Sequence, residues 1–81
     1  MFTVYILYSE SIDSYYIGYT NSIDRRLSEH NRKKGKFTDN GIPWKLVYIE
    51  KFDTKTEARL RERYIKAKKS RVYLIDLIKS W

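Results

Sequence analysis

The chain has 81 residues, a net charge of +7 and no cysteine. A length of this order predicts one domain, residues 1–81, around one modest core, and the lack of thiols excludes disulfides, thiolate metal sites and thiol nucleophiles. With His30 as the single histidine and no apolar run near the roughly 20 residues of a membrane span, a multi-histidine zinc cluster and a transmembrane helix are excluded too.

Met1-Phe2-Thr3-Val4 lacks the basic segment that opens a signal peptide, so a reduced, cytoplasmic setting is expected. Residues 2–8 are aromatic and β-branched and read as a strand, residues 9–14 as a turn, and residues 15–19 as the returning strand of a hairpin. Asn21 or Ser22 caps a helix predicted from about Ile23 to Lys34, with Gly35 just past its end. Lys36 to Pro43 reads as a loop and Trp44 to Phe52 as a third strand. Thr54-x-x-Glu57 is a capping-box pattern that opens a second helix running to about Lys68. Ser70 caps a last helix, in which Leu74, Leu77 and Ile78 follow helical spacing. The order ββαβαα predicts an α+β fold, a small sheet flanked by helices.

Charge is unevenly spread. Residues 1–24 carry no lysine or arginine, so all 17 basic residues lie beyond them. A localised basic excess attracts polyanions, and nucleic acid is the expected partner. An anionic membrane fits less well, because no helix opposes a broad apolar face to a basic one.

Strand alternation constrains the tyrosines. Pairing Tyr8 with Tyr15 sets Tyr5 opposite Gly18 and Leu7 opposite Tyr16, leaving Tyr5 and Tyr16 diagonal on one face. Gly18 then leaves an opening beside the Tyr5 ring. Spacing alone reads the pair either as ordinary strand aromatics or as two phenols sharing a ligand. On the first helix, with Ile23 as zero, Leu27 falls about 40° to one side, and His30 and Arg26 fall about 20° and 60° to the other. Arg26 and His30 are therefore neighbours bordering the packed face, able to stabilise phosphate charge and relay a proton. Arg25, Arg32 and Lys33 point elsewhere, as phosphate-seeking surface charge. Glu57 fits a capping-box acid, an i+4 partner of Arg61, or a carboxylate ligand of Mg²⁺.

Thr3-Val4-Tyr5 and Tyr16-Ile17-Gly18, ten residues apart, resemble the paired motif of the GIY-YIG nuclease superfamily. Asp24-Arg25-Arg26-Leu27-x-Glu29-His30-Asn31 is similar to its helix motif. Pro43 to Glu50, Glu57-Ala58 and Glu62-x-x-Ile65-Lys66 are similar to its small stand-alone bacterial branch, UPF0213, related to the nuclease domain of the excision-repair incision subunit. The resemblance implies a three-stranded antiparallel sheet with the first strand central. It implies a catalytic surface of Tyr5, Tyr16, Arg26 and His30, with one divalent metal, Mg²⁺ or Mn²⁺, on Glu57. The activity implied is phosphodiester hydrolysis in DNA, more than RNA, structure-directed and connected with repair or recombination, with a protein partner to supply specificity. The alternative is a non-catalytic nucleic-acid-binding module of the same fold. Arg25, Arg32, Lys33, Lys34, Lys36 and Lys45 are the expected binding cations in either case. Two positions depart from the superfamily pattern: no asparagine falls late in the chain, and Tyr19 stands where some relatives carry lysine.

Overall fold

The computed structural model describes residues 1–35 and 37–81. Strand β1 (Phe2–Ser9) turns through a short link and returns as β2 (Ser14–Thr20). The left-handed turn residue is Asp13, with φ at 49°. An aspartate tolerates that conformation because its short side chain bonds locally, and here the carboxylate accepts the Tyr8 hydroxyl at 2.7 Å. Across the hairpin Tyr8 pairs with Tyr15, Leu7 with Tyr16 and Tyr5 with Gly18, the register that alternation predicts.

β3 (Trp44–Phe52) pairs with the other edge of β1, giving the antiparallel order β2-β1-β3 with β1 central. The β1–β3 ladder shifts once: Ile6 faces Tyr48, but Leu7 faces Leu46. Skipping Val47 exchanges the two faces of the strand beyond it, because side chains alternate with a period of two. Trp44 therefore joins Tyr5 and Leu7, and Lys45 turns to the other side of the sheet.

Helices cover both faces. Helix α1 (Ile23–His30) sets Ile23 and Leu27 against Tyr5, Leu7 and Trp44. On the opposite face α2 (Lys55–Ala67) and α3 (Arg71–Lys79) pack Ala58, Ile65, Leu74 and Leu77 around Val4. The caps match the sequence reading: Ser22, Thr54 and Ser70 each accept a backbone N–H of the first turn, and Thr54 with Glu57 closes the capping box.

Helix α1 ends at His30, earlier than the predicted Lys34. The cause is Asn31, whose side chain accepts the Trp44 N–H at 2.6 Å and donates to the Trp44 carbonyl at 3.1 Å. Those bonds tie the helix end to the start of β3, and the chain then leaves the helical path. The predicted loop contains a 3-10 turn over Phe37–Gly41. Lys36 lies outside the described residues.

Candidate active site

The Tyr5 face carries a cluster of rings. Tyr5 is 1% exposed, and its phenol lies across Gly18, where an added Cβ would sit 2.5 Å from the hydroxyl oxygen. The opening that Gly18 leaves is thus filled by Tyr5 itself, which corrects the expectation of a vacant space beside the ring. Crossing the glycine brings the Tyr5 hydroxyl to 3.3 Å from His30 Nε2, at the last turn of α1. Tyr16 lies beside both: its ring centroid is 6.4 Å from that of Tyr5, nearly parallel, and 4.4 Å from that of His30, edge-on. Trp44 closes the group at 6.2 Å from Tyr16 and 6.4 Å from His30. The bulge in β3 is what delivers this indole, and Asn31 and the Thr38 carbonyl fix it, the latter by a 2.9 Å bond from Trp44 Nε1.

Beside the rings a cleft of about 190 Å³ opens, lined by Tyr16, Arg26, Glu29, His30, Arg32, Lys34 and Thr38. Glu29 Oε1 stands 3.5 Å from Arg26 Nε, an ion pair by distance but outside hydrogen-bonding geometry. Arg26 Nε is buried and has no hydrogen-bond partner among the described residues. The side chain as a whole is 40% exposed, so the rest of the guanidinium reaches the cleft, and an anion there would satisfy the Nε donor that burial leaves without a hydrogen bond. A phosphate oxygen matches the donor best, because the guanidinium fork suits that geometry.

The two tyrosines differ. Tyr16 lines the cleft, whereas Tyr5 is enclosed. Burial, then the neighbouring Tyr16 phenol, raises the Tyr5 pKa well above its ordinary value, with smaller upward contributions from Glu62 and Glu29; Arg26 acts in the opposite direction but does not prevail. Tyr5 is accordingly a neutral phenol at pH 7. His30 moves the other way: partial burial, followed by the charges of Arg26 and Lys34, lowers its pKa, while Glu29 works against them. Its ring is therefore uncharged at neutral pH, free to accept a proton.

The acids are distributed unexpectedly. Glu57 is exposed, and its Oε1 accepts the Thr54 N–H at 3.3 Å and the Thr54 hydroxyl at 2.9 Å. Arg61 pairs with Glu50 at 3.2 Å rather than with Glu57. The acid of α2 with an electrostatic link to the cluster is Glu62, whose side chain is 14% exposed, pairs with Lys66 at 3.5 Å and contributes to the Tyr5 shift. A signal for it existed in the sequence. Glu62 follows Ala58 by four residues and precedes Ile65 by three, so it shares the sheet-facing side of the helix.

Of the expected binding cations, Arg32 and Lys34 line the cleft. Arg25 donates to Asn21 at 2.9 Å, outside the cleft lining, and Lys45 stands 3.7 Å from Glu10. Lys33 is exposed.

The model of the GIY-YIG catalytic domain matches residues 1–74. The chain belongs to the GIY-YIG family. Domains of this family are typical of endonucleases that act on nucleic acid and generally use a divalent metal. A UPF0213 protein of Clostridium perfringens is 45% identical over 78 residues, 95% of this chain and 82% of that protein. A UPF0213 protein of Streptococcus pneumoniae is 49% identical over 57 residues, 69% of this chain and 58% of that one. Among solved structures, the solution NMR structure of a UPF0213 protein from Bacillus halodurans is similar with a TM-score of 0.60 and 32% identity, covering 98% of this chain and 84% of that one. The GIY-YIG chain described here shares its α+β architecture with that structure. No helix among the described residues is long and apolar enough to cross a membrane.

Proposed function

We propose that this chain is a divalent-metal-dependent endonuclease that hydrolyses phosphodiester bonds in DNA, favouring branched or otherwise distorted substrates, in repair or recombination. The observation that carries the reading is the buried Nε of Arg26, without a hydrogen bond and only 3.5 Å from Glu29, in a cleft walled by Tyr16 and an uncharged His30. Three groups that phosphoryl hydrolysis needs then meet at one place: a cation for the phosphate, a proton acceptor and a polar group to orient water.

In this reading Arg26 binds the scissile phosphate and offsets charge on its equatorial oxygens. Tyr16 orients the attacking water. As the water oxygen bonds to phosphorus and the bond to the leaving 3′-oxygen breaks, His30 takes the proton of the water, and solvent protonates the leaving oxygen. Tyr5, neutral and enclosed, holds the His30 ring through its Nε2 contact. It is a positioning residue here, whereas Tyr16 meets the substrate.

Among the described residues no cluster of three or more potential ligands gathers, so the ion to expect is Mg²⁺ or Mn²⁺, hard ions that accept one or two protein carboxylates and fill their remaining positions with water and phosphate oxygen. Glu62 is the carboxylate that fits: its side chain is largely shielded, and it acts electrostatically on Tyr5, whereas the Glu57 carboxylate is taken up by its cap. When bound, the ion would polarise the phosphate and stabilise the leaving oxygen. The proposed metal ligand is therefore Glu62 in preference to Glu57. A protein partner that supplies specificity belongs to the same proposal.

The test is incubation of the purified chain with end-labelled single-stranded, duplex and branched DNA and with RNA, with Mg²⁺, with Mn²⁺ and with chelator. Metal-dependent cuts in branched DNA are expected, abolished by chelator. Binding without cleavage under every metal condition would make the chain a binding module instead.

A further inference from the structure

Phe37 is 78% exposed, the largest exposure among the bulky apolar residues of the chain, yet the turn that carries it is firmly held. Asp39 Oδ2 accepts the N–H groups of Lys34 and Gly35 at 2.9 and 2.6 Å. The Thr38 carbonyl takes the Trp44 indole N–H, and the Ile42 N–H closes on the Asp39 carbonyl at 3.2 Å. Gly41 is buried against the Trp44 ring so closely that a Cβ there would lie 2.3 Å from it. The turn presents Phe37 to solvent, and the backbone that carries it borders the cleft, since Thr38, the next residue, lines it together with Arg32 and Lys34.

Isolated exposed apolar residues are common on protein surfaces. Phe37 differs in its company. Arg32 and Lys34 join Arg26 in the lining of the cleft. A nucleic-acid strand whose scissile phosphate sits at Arg26 would carry its next phosphate toward those two cations. A flat aromatic ring beside a cationic track is the arrangement that holds a single strand, with phosphates on the cations and a base on the ring. A duplex cannot use the ring, because its bases are stacked on one another.

We propose that Phe37, Arg32 and Lys34 form a nucleotide subsite at the cleft, in which Phe37 stacks on an unpaired base and the two cations take its phosphate. The subsite rests on the reading of the cleft as a phosphodiester site and assigns its substrate class: a strand with an unpaired base next to the cut.

The experiment measures binding without hydrolysis. Fluorescence anisotropy in chelator, on a fluorescein-labelled single-stranded deoxyoligonucleotide and on the duplex of the same sequence, is compared for the wild type, Phe37→Ala, Phe37→Trp and the double variant Arg32→Ala, Lys34→Ala. Phe37→Ala is expected to weaken single-strand binding by about tenfold, with its salt dependence unchanged and duplex binding nearly so. Phe37→Trp keeps single-strand affinity. The double variant weakens binding to both and flattens the salt dependence. Circular dichroism melts of each variant confirm equal folding, as expected for exposed positions. Single-strand affinity untouched by Phe37→Ala, or an equal loss on duplex, overturns the subsite while leaving the phosphodiester reading in place. Binding that keeps its Phe37 dependence in a chain that never cleaves removes the hydrolytic reading and leaves the subsite standing. No binding to either probe overturns the subsite, and the cleavage assay on branched DNA with metal then decides the phosphodiester reading separately.

Discussion

The two faces of the sheet share three strands and are built to different ends. Around Val4, side chains from α2 and α3 form an apolar layer whose buried members are Ala58 and Ile65. Around Tyr5, the enclosed ring carries a hydroxyl, and the layer ends at a cleft with a guanidinium nitrogen that has no hydrogen-bond partner among the described residues. One side pairs its polar groups, Tyr48 and Arg61 both donating to Glu50; the other leaves Arg26 Nε without a hydrogen bond. Natural proteins tolerate such a fault where a ligand repairs it. Under the proposed function the Val4 face supplies stability and the Tyr5 face the phosphate site, with β1 contributing alternate residues to each and α2 adding Glu62.

Substitutions on each face sharpen that division. Ile65→Ala is expected to cost about 2–5 kcal/mol of unfolding free energy, since it empties a site that is 2% exposed. A urea titration reads the loss, and cleavage per folded molecule should stay near wild type. A large fall in turnover of the folded fraction would break the division. Gly18→Ala strikes the other face: the new Cβ meets the Tyr5 hydroxyl, with an overpacking cost of about 1–3 kcal/mol. Here thermal melting and activity should fall together, because the phenol is pushed off His30.

The two acids of α2 separate the roles within one helix. Glu57→Gln is expected to cost about 1 kcal/mol or less through a weakened capping box, with metal dependence unaltered. Glu62→Gln should leave the melting temperature nearly unchanged and reduce cleavage roughly 100-fold or more, with weaker Mn²⁺ dependence. The reverse pattern would return the metal to Glu57. A smaller effect concerns pH. His30 has a lowered pKa, so its neutral form prevails at pH 7, and activity should decline only as pH falls through a value below 6.5. Lys34→Ala removes one of the charges that depress it, so the acid limb of the pH–rate profile should move upward. An unmoved limb, or a downward shift, would take the proton from His30.

Much of this was legible in the chain before any coordinates. The hairpin register is the one that pairing Tyr8 with Tyr15 implies, with Tyr5 and Tyr16 on a common face; a one-residue slip would have parted them. The caps at Ser22, Thr54 and Ser70 were local patterns and appear where the residues place them. Features that depend on distant partners were not legible. Helix α1 stops at His30 because Asn31 bonds Trp44, 13 residues on, and no periodicity within the helix reports that. The bulge that turns Trp44 toward the rings is likewise set by pairing with β1. The spacing of Glu62 from Ala58 and Ile65 marks it as lying on the packed side of α2, whereas Glu57, the acid that the family resemblance implied for the metal, is exposed in its cap. The filled space over Gly18 required knowing that the Tyr5 phenol reaches across to α1.

Under the proposed function, the cleft beside Tyr16 cuts phosphodiesters with Arg26 on the phosphate. Single-turnover cleavage of end-labelled branched DNA in Mn²⁺, wild type against Arg26→Ala at matched folded concentration, tests it most directly. The expected rate is lower by roughly 100- to 1,000-fold, as for loss of one donor that stabilises transition-state charge, with an unfolding midpoint close to wild type. Cleavage at the wild-type rate by folded Arg26→Ala would contradict it.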